Sequence, residues 1–409
     1  MKEVRPLDRT IFLVDMNAFY ISCEMGRNPS LREKPAAVAG DPLKRTGIIL
    51  ASNYEARAKG VKTAMTVHEA LKRCPELLTV PPDHTYYEEV SSSFMNLLED
   101  FTPLIEQNSI DEAWLDMTGS LHLYNSAEDA ARIIMERLEN ELNLWCSIGI
   151  SSNKFLSKMA SDMKKPQGIT SLYPSDVKNK LWPLPVGAMY GIGHKTSEAL
   201  KAMNILSIKD LAAYPLEDLL RRFGKQGYKM HLHAQGTDAE PLVPRKREDL
   251  KSIGKSITLH ENYEDLAPTL LLLQKLSDEV SIRARSLSKR GHTVQITLKS
   301  TDFRVLTRQC KLPQTNVATK LYEAAASLLR DVFEEAKPIR LLGVSLTDFQ
   351  ESTTQEQLTM FSMDPSLETS PKESDKEEHL QAAIDLIRKK FGKNSVSFAS
   401  IMKDKEKEP

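Results

Sequence analysis

The chain has 409 residues, of which 41 % are hydrophobic and 27 % charged, with a formal net charge of −1; this length predicts two to four domains and the composition excludes disorder throughout. Its four cysteines, Cys23, Cys74, Cys146 and Cys310, form no CxxC or Cys/His cluster, so neither a zinc site nor a disulfide framework is signalled and a reducing, cytoplasmic setting fits. No apolar run has the length of a signal-peptide core or a membrane span, and no membrane association is expected.

Residues 10–15, TIFLVD, read as a short buried strand with Asp15 at its carboxyl end, and AFYISCEM follows as a helix. The stretch GIILASNYEARAKGVKTAMTVHEALKRCP predicts a strand and two helices, with Tyr54 and Arg57 three residues apart on one helix face. YYEEVSSSFMNLLEDF is an amphipathic helix. The runs PLIEQNSID and EAWLDM then read as strands that meet at the adjacent acids Asp111 and Glu112. Neighbouring strand positions point to opposite faces, so one acid is steered inward, where an unpaired carboxylate is costly. A solvated hairpin corner would relieve that cost, and so would a divalent cation held by hard oxygen ligands. A helix over Ala127–Glu141 and the strand CSIGISS complete a mixed α/β unit of about 170 residues, a common domain size. Lys154, Lys158, Lys164 and Lys165 follow its last strand.

Residues 171–240 read as short helices around YGIGHKTSEALKAMNI, similar to a helix-hairpin-helix turn in which Gly191 and Gly193 let backbone N–H groups approach a phosphate. PLVPRKRED, 241–249, is a charged linker. Beyond it, strand 252–259, helix 266–288, strands 293–299 and 303–312, helix 317–334 and strand 340–347 give a ferredoxin-like βαββαβ order. In TVQITLK the apolar Val294, Ile296 and Leu298 alternate with polar residues, so one sheet face packs on helices and the other is open, and we expect basic residues on the open face. From Ile282 to Lys311 there are eight Lys or Arg and one acid, whereas Gln350–Leu380 holds eight acids and two lysines. A basic folded segment before an acidic, solvated tail suits local grip on a polyanion.

Asp15 is a third carboxylate from the same α/β unit, and three such acids can hold two Mg²⁺ ions that also take triphosphate oxygens. A nuclease or a cyclase could use the same metals, and a non-catalytic DNA-binding scaffold could keep the fold alone. The nearby Arg and Lys side chains match a triphosphate better than a single phosphodiester.

Taken in order, FLVDMNAFYISCE, ASNYEARAKGVKTAM, NSIDEAWLDMTG, SIGISSNKFLSKMASDMKKPQGI, YGIGHKTSEALKAMNI, RRFGKQG, KSIGKS and RLLGVSLTD resemble the Y-family translesion DNA polymerases. The resemblance implies a palm at 1–170 with small fingers inserted at about 26–80, a small helical thumb at 171–240, a DNA-binding little finger at 241–350, and an acidic tail at 351–409. It implies low-fidelity, DNA-templated synthesis past damaged bases, without proofreading, by a monomer acting on primer–template DNA and deoxynucleoside triphosphates. Asp15 and Asp111 resemble the aspartates that ligate two Mg²⁺, Glu112 the catalytic acid beside them, and Met16 a residue lending its carbonyl to a metal. Tyr54, Arg57 and Lys165 resemble triphosphate contacts, and Tyr20 falls on the position that excludes a ribose 2′-hydroxyl. Gly191, Gly193, Lys255, Arg283, Arg285, Arg304 and Arg308 are the expected DNA contacts. Gln357, Leu358, Met360 and Phe361, in QLTMF, resemble a peptide that binds the sliding clamp. Asn17 stands where the family often has an acid, and Ala51 where it often has a hydroxyl residue.

Overall fold

The structure, a computed structural model, describes residues 9–45, 47–244, 250–349, 371–392 and 395–396. The chain forms two compact units, Met1–Lys246 and Arg247–Pro409, and the break falls inside the stretch expected to be a linker. Gln357, Leu358, Met360 and Phe361 lie outside the described residues.

The first unit runs β1 (Ile11–Met16), α1 (Phe19–Arg27), β2 (Ala36–Ala39), β3 (Ile49–Ser52), α2 (Tyr54–Ala58), α3 (Val67–Arg73), β4 (Leu78–Val80), α4 (His84–Glu99), β5 (Ile105–Gln107), β6 (Glu112–Asp116), α5 (Ala127–Leu142), β7 (Cys146–Ser151), α6 (Lys154–Met163) and β8 (Ile169–Ser171). Its main sheet has the order β5-β6-β1-β7-β8. β1 is central and covered on both faces, which is why a nearly continuous apolar run forms it. Phe12 and Val14 pack with Phe94 and Leu98 of α4 and Ile134 and Leu138 of α5, while Ile11 and Leu13 lie on the other face with Trp114. α6 lies against β7 and β1, starting at Asn153, whose side chain accepts from the Leu156 N–H at 2.8 Å. It comes so close to β7 that a Cβ built on Gly149 would sit 1.9 Å from the Ser157 carbonyl oxygen. β2, β3 and β4 make a separate three-stranded sheet in the order β3-β2-β4.

Helices α7 (His194–Lys201), α8 (Ile208–Ala213), α9 (Leu216–Phe223) and α10 (Lys225–Ala234) complete the first unit. The turn before α7 places Gly191 at φ +88°, a left-handed conformation that glycine adopts without steric cost.

The second unit has the expected order: β9 (Ser252–Tyr263), α11 (Leu266–Ser286), β10 (Gly291–Ser300), β11 (Val305–Thr315), α12 (Ala318–Ala336) and β12 (Ile339–Phe349). The sheet, β11-β10-β12-β9, is antiparallel throughout, and Val294, Ile296 and Leu298 pack with Leu273 and Leu276 of α11 and Leu321 and Leu329 of α12. Part of the segment expected as the acidic tail forms a helix, α13 (Pro371–Phe391). α13 is tied to α11 by Arg285 with Asp385 at 2.6 Å and Arg388 with Asp278 at 2.8 Å.

Candidate active site

The antiparallel register of β1 and β6 sets Asp15 opposite Glu112, and the Met16 N–H donates to the Asp111 carbonyl oxygen at 2.9 Å. The three acids are therefore brought together by backbone pairing alone, across almost one hundred residues of chain. Asp111 stands just before β6, where the Ser109 hydroxyl donates to its Oδ1 at 2.5 Å. Asp15, Asp111 and Glu112 line one side of a cavity of about 480 Å³; Tyr54, Arg57 and Lys165 line it as well, as do Met16, Tyr20 and Lys158.

Two carboxylates placed side by side and removed from water repel. Lys158 offsets this: its Nζ lies 2.7 Å from Asp15 Oδ2 and 2.6 Å from Glu112 Oε2. Lys165 holds the other Asp15 oxygen at 2.8 Å and Asp162 at the same distance. Burial alone would push the Asp15 carboxyl up, but the two ammonium groups outweigh it and hold that carboxyl below the usual carboxylate range. At Glu112 burial prevails over the pull of Lys158, and the neighbouring Asp15 charge adds to it, so this carboxyl is raised. The Lys158 and Lys165 ammonium groups are raised by their acids against the effect of burial.

α2 begins at Asn53, whose side chain accepts from the Ala56 N–H at 3.0 Å, and its one exposed turn carries both Tyr54 and Arg57. The Arg57 Nε donates to the Ser52 carbonyl at 2.9 Å, and its guanidinium lies 4.9 Å from the Tyr54 ring centroid. Among the described residues the Ser52 and Tyr54 hydroxyls are buried without a hydrogen-bond partner. An orphaned hydroxyl beside an arginine, at the wall of a cavity, suits an incoming phosphate oxygen. Tyr20 stacks on Tyr87, centroids 4.6 Å apart at 18°, and burial and the Asp111 charge push its phenol up.

The two departures from the resemblance have local reasons. The Asn17 amide donates to Ser147 Oγ at 3.0 Å and its oxygen accepts from the Gln167 N–H at 2.8 Å; a carboxylate could accept from the Ser147 hydroxyl but not donate to it. Ala51 lines the cavity wall, where it leaves room that a hydroxyl residue would fill.

Among the described residues no three His, Cys, Asp or Glu side chains converge on one point, because Lys158 stands between Asp15 and Glu112 and Ser109 engages Asp111. The donor set still fits Mg²⁺. It is all oxygen, its three carboxylates outnumber the two lysines, and the gap between Asp15 and Glu112 already accommodates a positive charge.

In the second unit the structure corrects where the expected basic residues point. Side chains paired in an antiparallel register share a face. Arg308 pairs with Ile296 and Lys255 with Val344, both core positions, so these two point to the helical side, where they approach Glu335 at 3.6 Å and Glu279 at 3.4 Å. Arg285 is not on the open face either but is held by Asp385, Ser281 and the Asn316 carbonyl. Arg283 is exposed on α11, and Arg304, in the turn before β11, pairs with Asp302 at 2.5 Å. The open face carries Lys299 and Lys311 instead, among Thr297, Thr307, Gln309 and Ser345. The alternation in TVQITLK marks Lys299, and that of Leu306 and Leu312 in β11 was the available signal for Lys311. Gly193 caps α7 with φ −78°, and no atom lies within 4 Å of its Cβ direction.

Residues 14–162 match the impB/mucB/samB family, 174–205 the IMS family HHH motif, and 250–360 the impB/mucB/samB family C-terminal domain. The chain is 47 % identical over 399 residues to the DNA polymerase IV of Clostridium kluyveri, covering 97 % of this chain and 99 % of that protein. It is 48 % identical over 396 residues to the DNA polymerase IV of Alkaliphilus oremlandii, covering 97 % and 100 %. A solved Y-family DNA polymerase chimera superposes with a TM-score of 0.75 at 27 % identity, over 83 % of this chain and 99 % of that one.

Proposed function

The chain belongs to the impB/mucB/samB family of Y-family DNA polymerases, and from that premise we propose how its cavity performs nucleotidyl transfer. It is a DNA-directed DNA polymerase of the translesion class, with DNA and deoxynucleoside triphosphates as substrates. The observation that carries the reading is the sharing of one cavity by Asp15, Asp111 and Glu112 with Tyr54, Arg57 and Lys165. Acids alone would serve a nuclease equally well; acids facing triphosphate-binding groups favour a polymerase.

Asp15, Asp111, Glu112 and the Met16 carbonyl would hold two Mg²⁺ ions, which lower the pKa of an attacking hydroxyl and neutralise charge on departing pyrophosphate. Arg57, Tyr54 and Lys165 bind and orient the triphosphate. Arg57 does so as a planar fork, Lys165 as a point charge. Glu112, beside the aspartates in the same cavity, would take up the proton of the primer hydroxyl. Tyr20, fixed by its stack on Tyr87, fills the space a 2′-hydroxyl would need.

We assign the palm and fingers to residues 1–170, the thumb to 171–240 with Gly191 and Gly193 at a DNA phosphate, and the little finger to 241–350. Its open sheet face carries Lys299 and Lys311 toward the duplex, with Arg304 in the turn before β11 and Arg283 exposed on α11 as further phosphate contacts. The small fingers, only about 55 residues at 26–80, support low fidelity, since a small closing element discriminates weakly by induced fit. No proofreading step belongs to this reading, and the protein acts as a cytoplasmic monomer tethered to the sliding clamp by Gln357, Leu358, Met360 and Phe361. Among the described residues no helix is long and apolar enough to cross a membrane.

Primer extension tests the assignment. Asp111→Ala or Glu112→Ala is expected to abolish incorporation while DNA affinity largely persists, because most of that affinity comes from phosphate contacts. Extension at the normal rate by either variant would refute the site, and Mg²⁺-dependent shortening of the primer by the unaltered protein would favour a nuclease.

A further inference from the structure

We propose that Lys158 is the resident cation of the carboxylate pair: its ammonium occupies the place between Asp15 and Glu112 until a divalent ion takes it, and competes with that ion for them. The proposal rests on reading Asp15 and Glu112 as metal ligands.

The register of β1 and β6 makes the pair unavoidable once the sheet forms, so its repulsion must be met in the metal-free protein as well as in the loaded one. Lys158 meets it symmetrically, at 2.7 and 2.6 Å, with only a tenth of its side chain exposed. The Asp15 oxygens are divided, Oδ2 to Lys158 and Oδ1 to Lys165. Among the described residues, removing Lys158 therefore leaves Asp15 one side-chain partner, Lys165, and Glu112 the Asn108 amide.

Lys158 is also part of the cavity wall rather than sealed behind it, so an ion entering the cavity meets the ammonium directly. The helix cannot carry the lysine away, because α6 is pressed on β7 at Gly149 and pinned at its start by Asn153, whose amide donates to the Gly236 carbonyl at 3.0 Å. The side chain can rotate instead. Asp162, one turn further along α6 and half exposed, lies 3.8 Å from the Lys158 Nζ, and the Tyr190 ring centroid lies 6.0 Å away. Both offer the displaced ammonium a favourable neighbour.

The test uses the full chain, Mn²⁺ alone as probe, and no nucleotide. Free Mn²⁺ is followed by electron paramagnetic resonance at pH 8. A unit charge about 4 Å from a cation site at an effective dielectric near 20 is worth more than the roughly 1.4 kcal/mol that makes tenfold. Lys158→Met is accordingly expected to bind Mn²⁺ at least about tenfold more tightly than the unaltered protein, to melt lower without metal, and to gain more melting temperature on adding it. Lys158→Arg, which restores the charge, is expected to return the affinity to near its starting value. Lys158→Gln serves as a second neutral variant if Lys158→Met does not fold. Affinity unchanged or weakened in a folded neutral variant, with Mn²⁺ binding still lost in Asp15→Asn, overturns the resident-cation role and leaves the metal site standing. Failure of the unaltered protein to bind Mn²⁺, or binding indifferent to Asp15→Asn, overturns the metal-site reading and this proposal with it.

Discussion

Glu106→Ala is expected to destabilise the first unit severely. Glu106, on β5, is 3 % exposed and Lys154, at the start of α6, is 8 % exposed. The Lys154 Nζ donates to both Glu106 oxygens, at 3.0 and 3.2 Å, and Glu106 Oε2 also accepts from the Val243 N–H at 2.9 Å. Truncation would leave a buried ammonium beside the Trp114 ring, 5.1 Å from its centroid, with Glu240 at 3.8 Å as the nearest other carboxylate among the described residues. Removing one partner of a buried pair costs about 3–5 kcal/mol. Glu240 is half exposed and can close on the lysine, so the lower end applies. In a unit of some 240 residues each kcal/mol moves the midpoint by about 2–4 °C, and 3 kcal/mol therefore by about 6–12 °C. Differential scanning calorimetry measures this directly. Adding Lys154→Met removes the orphaned charge and should recover part of the loss; the smaller alanine and the unpaired Val243 N–H keep the remainder. A loss below about 1 kcal/mol in the single variant, or a double variant no better than the single, would refute the reasoning.

Tyr20→Ala should raise ribonucleotide incorporation relative to deoxyribonucleotide by at least about tenfold, the lower bound for relief of a steric exclusion; competitive single-nucleotide insertion assays measure it, and unchanged discrimination would return Tyr20 to core packing. Neutralising Arg283, Lys299, Arg304 and Lys311 together should weaken DNA binding across all sequences and flatten its salt slope by about 0.9 per lost phosphate contact. Arg285→Ala, by contrast, should leave that slope unchanged and loosen α13, which hydrogen exchange would register. Deleting residues 357–361 should leave extension without clamp nearly unchanged and abolish stimulation by the clamp, whereas equal stimulation would exclude this segment as the tether.

The sequence made the order of elements legible where patterns were long or chemically marked. TIFLVD announced the central strand, and the apolar alternation in TVQITLK announced the sheet of the second unit. β2 and β4 were not legible: AAVA is built mostly of alanine, a residue with little strand preference, and LTV runs straight into Pro81 and Pro82. α6 was hidden for another reason. Its lysines drew notice as charges, and only packing shows that helical spacing turns Lys158 inward to the acids. Which basic residues of the second unit face the open side was not legible, because clustering in sequence does not report the facing of a strand: Arg308 and Lys311, three apart, point to opposite sides of β11. Asp385 and Asp278, which hold Arg285 and Arg388, are about one hundred residues from their partners, a separation that no local pattern can bridge.

Gly149 bears on how this protein can change over generations. At most positions around the cavity a lineage can move by small steps, a methyl gained here or a hydroxyl lost there, as Asn17 and Ala51 illustrate. No such gradient exists behind the cavity. The smallest side chain available would place a carbon 1.9 Å from the Ser157 carbonyl and 2.5 Å from the Ser161 nitrogen, so even alanine must push back the helix that carries Lys158. Backbone groups cannot repack as a side-chain tip can. The front of the pocket is thus open to gradual tuning of which nucleotide or damaged template it accepts, while the spacing between strand and helix behind it is inherited all or none.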